Sequence, residues 1–370
     1  MKISLKNTPE QVELIRAIGS KNPTVAREAS EAFAAFLGPV VQQVIQQAAT
    51  AGAIYSDAPF DEDDSPSYPL DLYYQTPQNH IQVWSQGMAG GLPSSQVTGM
   101  QELKIATYRL DSAVSFNKSY ARKARLDVIS KAIERMAQEV LIKQERNAWA
   151  VVLKSLAEAS TNSTKHVFNS ATGGGTRAAF TLSLLSNLMT RAKRLNESFA
   201  GGAPANAYSN GITDIYVSPE VKADIRAFAF NAVTNSATDL PAGVREEIYR
   251  SAGAQEIFGI QINELIELGV GKKYNTLFDS MAASTTYTTF AGASAEVFAA
   301  TDELVIGLDN SKGAFIRPIA RQADSGSTFV AAPDDQFNIT RADKAGFYGS
   351  LEEGRVCIDA RAVVGIILKD

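Results

Sequence analysis

The stretch ARKARLDVISKAIERMAQEVLIKQERNAWAVVLKSLAEA, Ala121 to Ala159, decides how the rest of the chain is read. It contains neither Gly nor Pro, and strong helix formers dominate it. Ile129, Ile133, Met136 and Val140 recur in steps of four, three and four, which lines one face of a helix. A second stripe, Leu141, Ala148, Val152 and Leu156, continues past the polar turn Lys143–Asn147. The spacing predicts one continuous helix. At ~1.5 Å per residue it is roughly 55 Å long, well beyond an average globular helix. A rod of that length needs other elements laid along it. A core helix of a large α/β enzyme is one way to supply them.

Length and composition allow one elaborated domain or two: 370 residues, 45% hydrophobic, net charge −5. No basic tail is present to neutralise nucleic-acid phosphates. Cys357 is the one cysteine, so no internal disulfide can form and a reducing compartment fits. No apolar run is long enough to span a membrane, and the N-terminus lacks a signal-peptide pattern. No repeat at a fixed period is found.

Working outward, Thr8-Pro9-Glu10 opens a helix that Gly19 ends. Pro23 opens a second, which Gly38-Pro39 is expected to interrupt before Val40 to Ala51 resumes it. Asp57 to Ser67 reads as a loop carrying the acidic run Asp61, Glu62, Asp63, Asp64, whose simplest reading is a solvated charge cluster. Residues 68–118 read as a long β-hairpin. Its arms hold Leu72-Tyr73-Tyr74, Ile81–Trp84 and Leu103–Tyr108, and its tip runs from Gly87 through Met88, Leu92 and Pro93 to Gly99. An isolated two-stranded arm is marginal in water, so a partner is expected to hold it.

Beyond the long helix, Thr161–Arg177 is a polar loop with three consecutive glycines, and Phe180–Leu195 is helical. Asp214–Val217 is a short strand running into Ser218-Pro219-Glu220, an N-cap, a first-turn Pro and a first-turn acid. Asn231–Gly243 reads as a loop. Glu256–Ile262 reads as one strand bent at Gly259, and Glu303–Leu308, Ala314–Ile319 and Phe337–Thr340 are further strands. Arg355–Lys369 ends in the apolar run Val363–Leu368, the signature of a buried strand.

Chemistry-bearing motifs are scarce. His80 and His166, the two histidines, are isolated, one in the hairpin arm and one in a polar loop. Neither supports a zinc site or a catalytic triad. Gly269-Val270-Gly271-Lys272-Lys273 lacks the first Gly of a phosphate loop, where Ile266 stands, and has Lys273 in place of the Ser or Thr. The pairs Glu246-Glu247 and Glu352-Glu353 diverge on regular elements and read as solvated. No catalytic residue, metal ligand or cofactor is expected.

The order of elements, an N-terminal arm, a long hairpin, a long helix, an α/β segment and a closing β segment, resembles the major capsid protein of tailed phages, the HK97-type fold. The resemblance covers nearly the whole chain. Its most telling pieces are Ile215-Tyr216-Val217-Ser218-Pro219-Glu220, Glu256–Ile262, and the tail from Thr340-Arg341-Ala342-Asp343 through Cys357-Ile358-Asp359 to Val364. It implies an α+β chain with residues 1–67 as the N-terminal helical arm and 68–118 as the extended hairpin loop over a neighbour. A peripheral domain of 119–159 and 320–358 contains the spine helix, and an axial domain takes 160–319 and 359–370. Asn231–Gly243 is the candidate tip at the symmetry axes. Residues 1–60 are too few for a large cleaved scaffolding region, so any scaffold is expected in trans. One branch of the family joins a Lys of the extended loop to an Asn near the C-terminus. No Asn lies between Arg341 and Asp370, so Lys104 has no such acceptor and a noncovalent shell is expected.

The function so implied is a structural one: pentamers and hexamers of this chain closing an icosahedral shell around a double-stranded DNA genome. The DNA is bound without sequence specificity or a membrane, and scaffolding, portal and cement proteins are further partners. Assembly in the host cytoplasm and residence in the virion follow. An encapsulin-type cellular compartment shares the fold, although its chains are usually shorter, and an enzyme with an unrecognised site is a third reading. Trp84, Met88, Leu92 and Pro93 are the expected tip contacts with a neighbouring subunit. Lys118, Arg122, Lys123 and Arg125 put four cations at the start of the long helix, against its dipole. The acidic run Asp61 to Asp64 of a neighbour is their expected partner.

Overall fold

The computed structural model describes residues 8–48, 50–61, 64–69, 102–123, 125–163, 166–170, 177–195, 211–231, 243, 246, 256–282, 285–292, 296–321, 328–333 and 343–370. In chain order the elements are α1 (Pro9–Ile18), α2 (Pro23–Ala48), β1 (Ser56–Asp61), β2 (Ser67–Pro69), β3 (Glu102–Lys104), β4 (Tyr108–Asn117), α3 (Lys118–Arg122), α4 (Leu126–Ser163), β5 (Val167–Asn169) and α5 (Leu182–Leu195). They continue with β6 (Asp214–Val217), α6 (Pro219–Asn231), β7 (Glu256–Ile257), β8 (Ile260–Glu264), α7 (Lys273–Met281), β9 (Thr286–Tyr287), β10 (Glu296–Val297) and β11 (Glu303–Leu308). β12 (Phe315–Arg321), β13 (Val330–Pro333), β14 (Lys344–Glu353), β15 (Val356–Cys357) and β16 (Val363–Leu368) close the chain. Among the described residues no helix is long and apolar enough to cross a membrane.

The chain divides into two compact units. One comprises residues 1–68, 103–148 and 316–356, the other 69–102, 149–315 and 357–370, so the division falls inside α4. In the first unit, β1, β12, β14 and β13 are hydrogen-bonded in that order, with β4 also on β14. β4 is paired over its whole length, from Asn117 opposite Lys344 to Tyr108 opposite Glu353. The core gathers Ile15 and Ile18 of α1, Phe33, Leu37 and Val41 of α2, and the α4 stripe Ile129, Ile133, Met136 and Val140 against Phe347 and Leu351 of β14. Phe33 and Phe116 pack on Phe347, with ring centroids at 5.2 and 6.0 Å.

In the second unit the strand order is β5-β16-β11-β6-β8-β7. Every residue of β6, β11 and β16 is buried. Leu185 and Leu188 of α5, with Val221 and Ile225 of α6, join one face. On the other face Gly365 leaves room for Leu156 of α4; a Cβ there would sit 3.1 Å from Leu156 Cδ2. Trp149 packs edge-on against Tyr216 at 4.7 Å.

Several sequence expectations meet a different backbone. The predicted single helix from Ala121 is two. Asn117 caps α3 by accepting from the Ser119 N–H, the chain turns at Lys123, and α4 starts afresh at Leu126. Conversely, α2 runs unbroken through Gly38-Pro39. Pro in a helix interior removes a hydrogen bond and clashes, but Leu37 and Val41 on either side are buried in the core, and that packing overrides the local cost. The expected loop at Asp57–Ser67 begins with β1, a parallel partner of β12. β1 is at the sheet's edge, where Pro59 is tolerated. Glu256–Ile262 is a hairpin: Phe258 and Gly259 both have positive φ, at 56° and 78°, between the paired Ile257 and Ile260, as a type I′ turn requires. The hairpin base is described, with β2 paired to β3. Its arms at 70–101, Trp84 and the tip residues Met88, Leu92 and Pro93 lie outside the described residues, as do His80, Gly173–Gly175, the body of the 231–243 loop and the expected strand at 337–340.

Candidate assembly site

The four cations singled out in the sequence lie where β4 turns into α3 and α4. The residue that organises this corner is Asp343, just before β14. Its carbonyl accepts the Lys118 N–H at 3.0 Å. Its carboxylate takes the Arg122 guanidinium at 2.7 Å, while Arg122 Nε donates to the Gly19 carbonyl at 3.0 Å. Gly19 has to be Gly: a Cβ there would come within 2.8 Å of the Arg122 backbone N. So Arg122 ties the end of α1 to the start of β14 within its own chain. It also lies in the last turn of α3, where a cation suits the helix dipole. The expectation of four cations opposing the dipole of one long helix is corrected by the break at Lys123. Arg122, Lys123 and Arg125 are exposed and Lys118 is half-buried.

Lys118 belongs to a second grouping that the sequence does not reveal. A cleft of ≈ 110 Å³ is lined, among the described residues, by Lys21, Arg27, Lys118 and Lys344 together with Ser20 and Ser30. Arg27 reaches out of this lining to Glu31, one turn along α2, at 2.9 Å. The four cations are scattered over more than three hundred positions, so only the fold brings them together.

Of the acidic run, Asp61 and Asp64 are described and exposed; Glu62 and Asp63 are not described. The Asp64 N–H donates to the Asp61 carbonyl at 2.9 Å, closing a turn at the end of β1. On the same strand Asp57 makes a two-pronged pair with Arg317, at 2.7 and 2.6 Å.

Two groups read as peripheral in the sequence are structural. Glu353 is fully buried. It accepts from Tyr108 Oη at 2.8 Å and Gln144 Nε2 at 3.0 Å and pairs with Arg355 at 3.3 Å. Burial, then the Glu353 charge, push the Tyr108 hydroxyl up to about 12. Its neighbour Glu352 faces the other way and accepts from Thr107 at 2.6 Å. His166 is buried with its Nδ1 3.0 Å from the Val363 carbonyl. Burial lowers its pKa, against the backbone hydrogen bond to Val363. In the second unit Arg177 clamps Asp224 at 2.8 and 3.0 Å and reaches buried Glu303 at 3.3 Å. Burial raises the Glu303 pKa against that pairing. Among the described residues no group of three or more His, Cys, Asp or Glu is placed to hold a metal ion.

No protein-family model matches this chain, and no curated protein matches it. Solved structures similar to it include phage capsids. The capsid of the cyanophage P-SCSP1u is 12% identical over 85% of this chain and 86% of its own, with a TM-score of 0.48. The capsid asymmetric unit of cyanophage Pam1 is 11% identical over 85% and 88%, also at 0.48. The mature capsid of bacteriophage PhiM1 is 10% identical over 86% of each chain, at 0.45.

Proposed function

We propose that this chain is the major shell subunit of a phage head, assembling through pentamers and hexamers into a closed icosahedral capsid around double-stranded DNA. The observation that carries the reading is the order of elements along the chain. Two N-terminal helices precede a hairpin base at β2 and β3, then a 38-residue helix enters two separate cores. This order agrees with the sequence resemblance to the HK97-type fold, in which α4 is the spine helix, residues 160–319 and 359–370 the axial domain and residues 68–118 the extended loop. Trp84, Met88, Leu92 and Pro93 then contact a neighbouring subunit, since an apolar tip is costly to leave in water. Scaffolding, portal and cement proteins are its proposed partners, and the host cytoplasm its site of assembly.

Negative-stain microscopy of the purified protein tests the reading. Closed shells of uniform size are expected, and a monomer at all concentrations would overturn it. Deleting Gly87 to Gly99 should abolish shells and leave folded, soluble subunits, while normal shells would remove the hairpin tip from the contact. Boiling mature particles in denaturant should release one band near 39.7 kDa. A ladder of linked oligomers would reveal a covalent acceptor for Lys104 or another Lys.

A further inference from the structure

We propose that the polar turn of α4 is a coupling post. Through Glu353 and Arg355 it ties the root of the hairpin loop to the end of the N-terminal arm, so that a neighbour holding either segment steadies the other. This rests on the shell reading, in which both segments engage neighbouring subunits, and names how one subunit relates them. The polar turn Lys143–Asn147 interrupts the apolar stripes of α4, yet Gln144 is buried and shares a helix face with buried Ala148. Gln144 Nε2 donates to Glu353 Oε2 at 3.0 Å, and Tyr108 Oη donates to Glu353 Oε1 at 2.8 Å. The two oxygens of one carboxylate therefore hold α4 and the first residue of β4, the root of the hairpin. Asn147 faces the same Tyr108 hydroxyl. On the other side Arg355 Nη2 pairs with both Glu353 oxygens at 3.3 Å, and its guanidinium lies 4.8 Å from the centre of the Tyr55 ring. Tyr55 Oη donates to the Ala148 carbonyl at 2.8 Å. Glu145 accepts from Thr50 Oγ1 at 2.8 Å and from the Ala51 N–H at 3.1 Å. Thr50, Ala51 and Tyr55, which follow the arm's second helix, thus stand on the same stretch of α4 as the hairpin root.

The chemistry of the junction suits coupling better than simple packing. Apolar side chains of similar volume often stabilise a core as well as a buried ion pair does, but they hold no fixed direction. A carboxylate with donors on both oxygens accepts a narrow range of geometries. Turning Glu353 away from Tyr108 also takes it from Gln144 and Arg355, and buried partners left without a hydrogen bond are costly. The charges are balanced within the network: Arg317, which pairs with Asp57 at 2.7 and 2.6 Å, comes within 4.0 Å of Glu353 Oε2. A shifted hairpin root is therefore felt at Arg355 and, through it, at Tyr55. Linkage makes the effect reciprocal, equal from arm to hairpin and from hairpin to arm. The Ile105 N–H, which donates to the Pro66 carbonyl at 3.1 Å, joins the two segments further out through backbone atoms alone. Side-chain substitutions leave that link in place and so isolate the network.

The test is native-state hydrogen exchange on the full chain as unassembled subunits. Tyr108→Phe removes one hydroxyl at the hairpin root, and exchange at the Ala51 and Ile54 amides of the arm should quicken about fivefold or more. Tyr55→Leu removes the ring beneath Arg355 and the hydroxyl on α4, and should quicken exchange at Ile105 and the first residues of β4 by a similar factor. Amides of β13, in the same unit, should keep their wild-type rates. In the double variant the acceleration at each site should fall short of the product of the two single effects, because the network is already cut. Gln144→Met replaces Tyr108→Phe, and Tyr55→Phe replaces Tyr55→Leu, where either does not fold. Uniform acceleration that includes β13 would show lost stability in place of coupling and overturn the proposal. So would single effects that multiply in full, which would make the two segments independent. Microscopy keeps the two readings apart. Normal wild-type shells with independent segments overturn the coupling and leave the shell reading. A wild-type protein that forms no shells overturns the shell reading and, with it, the neighbour's part in the coupling.

Discussion

The two units solve the same packing problem in different ways. In the second, β6, β11 and β16 are buried residue by residue, because helices cover both faces of the sheet. In the first, β4 alternates half-buried and exposed residues from Tyr108 to Ser115, and β1 is exposed at four of six positions. That sheet has one dry face and one wet one. Its interior holds a buried carboxylate, Glu353, in a network with Tyr108, Gln144 and Arg355. Both units bury a charged carboxylate, Glu353 in the first and Glu303 in the second; what separates them is that the second unit's central strands are buried at every residue. A half-wet sheet is also the one with surface left over for neighbours.

The sharpest test of this contrast pairs one deletion from each core. Phe168→Ala in the second unit removes a fully buried ring that packs on Phe290 at 5.5 Å, and should cost ~3–5 kcal/mol of stability. Glu353→Ala in the first should cost a similar ~3–5 kcal/mol, because it strands the Arg355 charge inside the protein. Chemical denaturation of unassembled subunits measures both. A Glu353→Ala loss under about 1 kcal/mol would make the polar junction incidental to the first unit.

Overpacking comes next. An added Cβ at Gly349 of β14 overlaps the Phe329 ring, so Gly349→Ala should cost ~1–3 kcal/mol. The same substitution at Gly313, where a Cβ meets nothing, should cost less and only through its positive φ of 56°. Smaller still is the cap of α6: Ser218 Oγ accepts from the Val221 N–H at 3.2 Å, and Ser218→Ala should lose ~1 kcal/mol in the second unit.

The mildest effect is on pH dependence. Glu303 has its pKa raised by burial, so its contribution to stability is complete below the unfolded carboxylate pKa and is lost as pH rises through the folded one. Glu303→Gln should therefore gain on wild type as pH climbs from acid toward neutral, by thermal melting at a series of pH values. A difference that stays flat with pH would show that Arg177 fully compensates the charge.

Much of the apolar architecture was legible in the sequence because periodicity survives translation into structure. Ile129, Ile133, Met136 and Val140 are buried as spaced, Val363–Leu368 is a buried strand as its unbroken run implies, and Ser218-Pro219-Glu220 opens a helix. What escaped was decided by partners far away in the chain. β1 has acids and a Pro where a strand signal would be, and is a strand because β12 pairs with it. Glu353 looked like half of a solvated pair because nothing local announces that Tyr108 and Gln144 will enclose it. The candidate site was half visible: Lys118 and Arg122 stand out as charges, but Asp343 and Lys344 are brought to them by the pairing of β4 with β14, and Lys21 and Arg27 by the packing of α1 and α2 beside that corner.

The pairing of β1 with β12 also sets a clock. Asp57 and Arg317, bonded across those strands, are 260 residues apart in the chain. At about 5–20 residues per second of synthesis, β1 waits on the order of 10–50 s before its partner emerges. During that interval its edge is open, and its charges and Pro59 discourage capture by another chain. Parallel pairing across so long a loop is slow even once both strands exist. The first unit's sheet is therefore completed only once β12, β13, β14 and β15 have left the ribosome, and a chain cut before them does not present its finished surface.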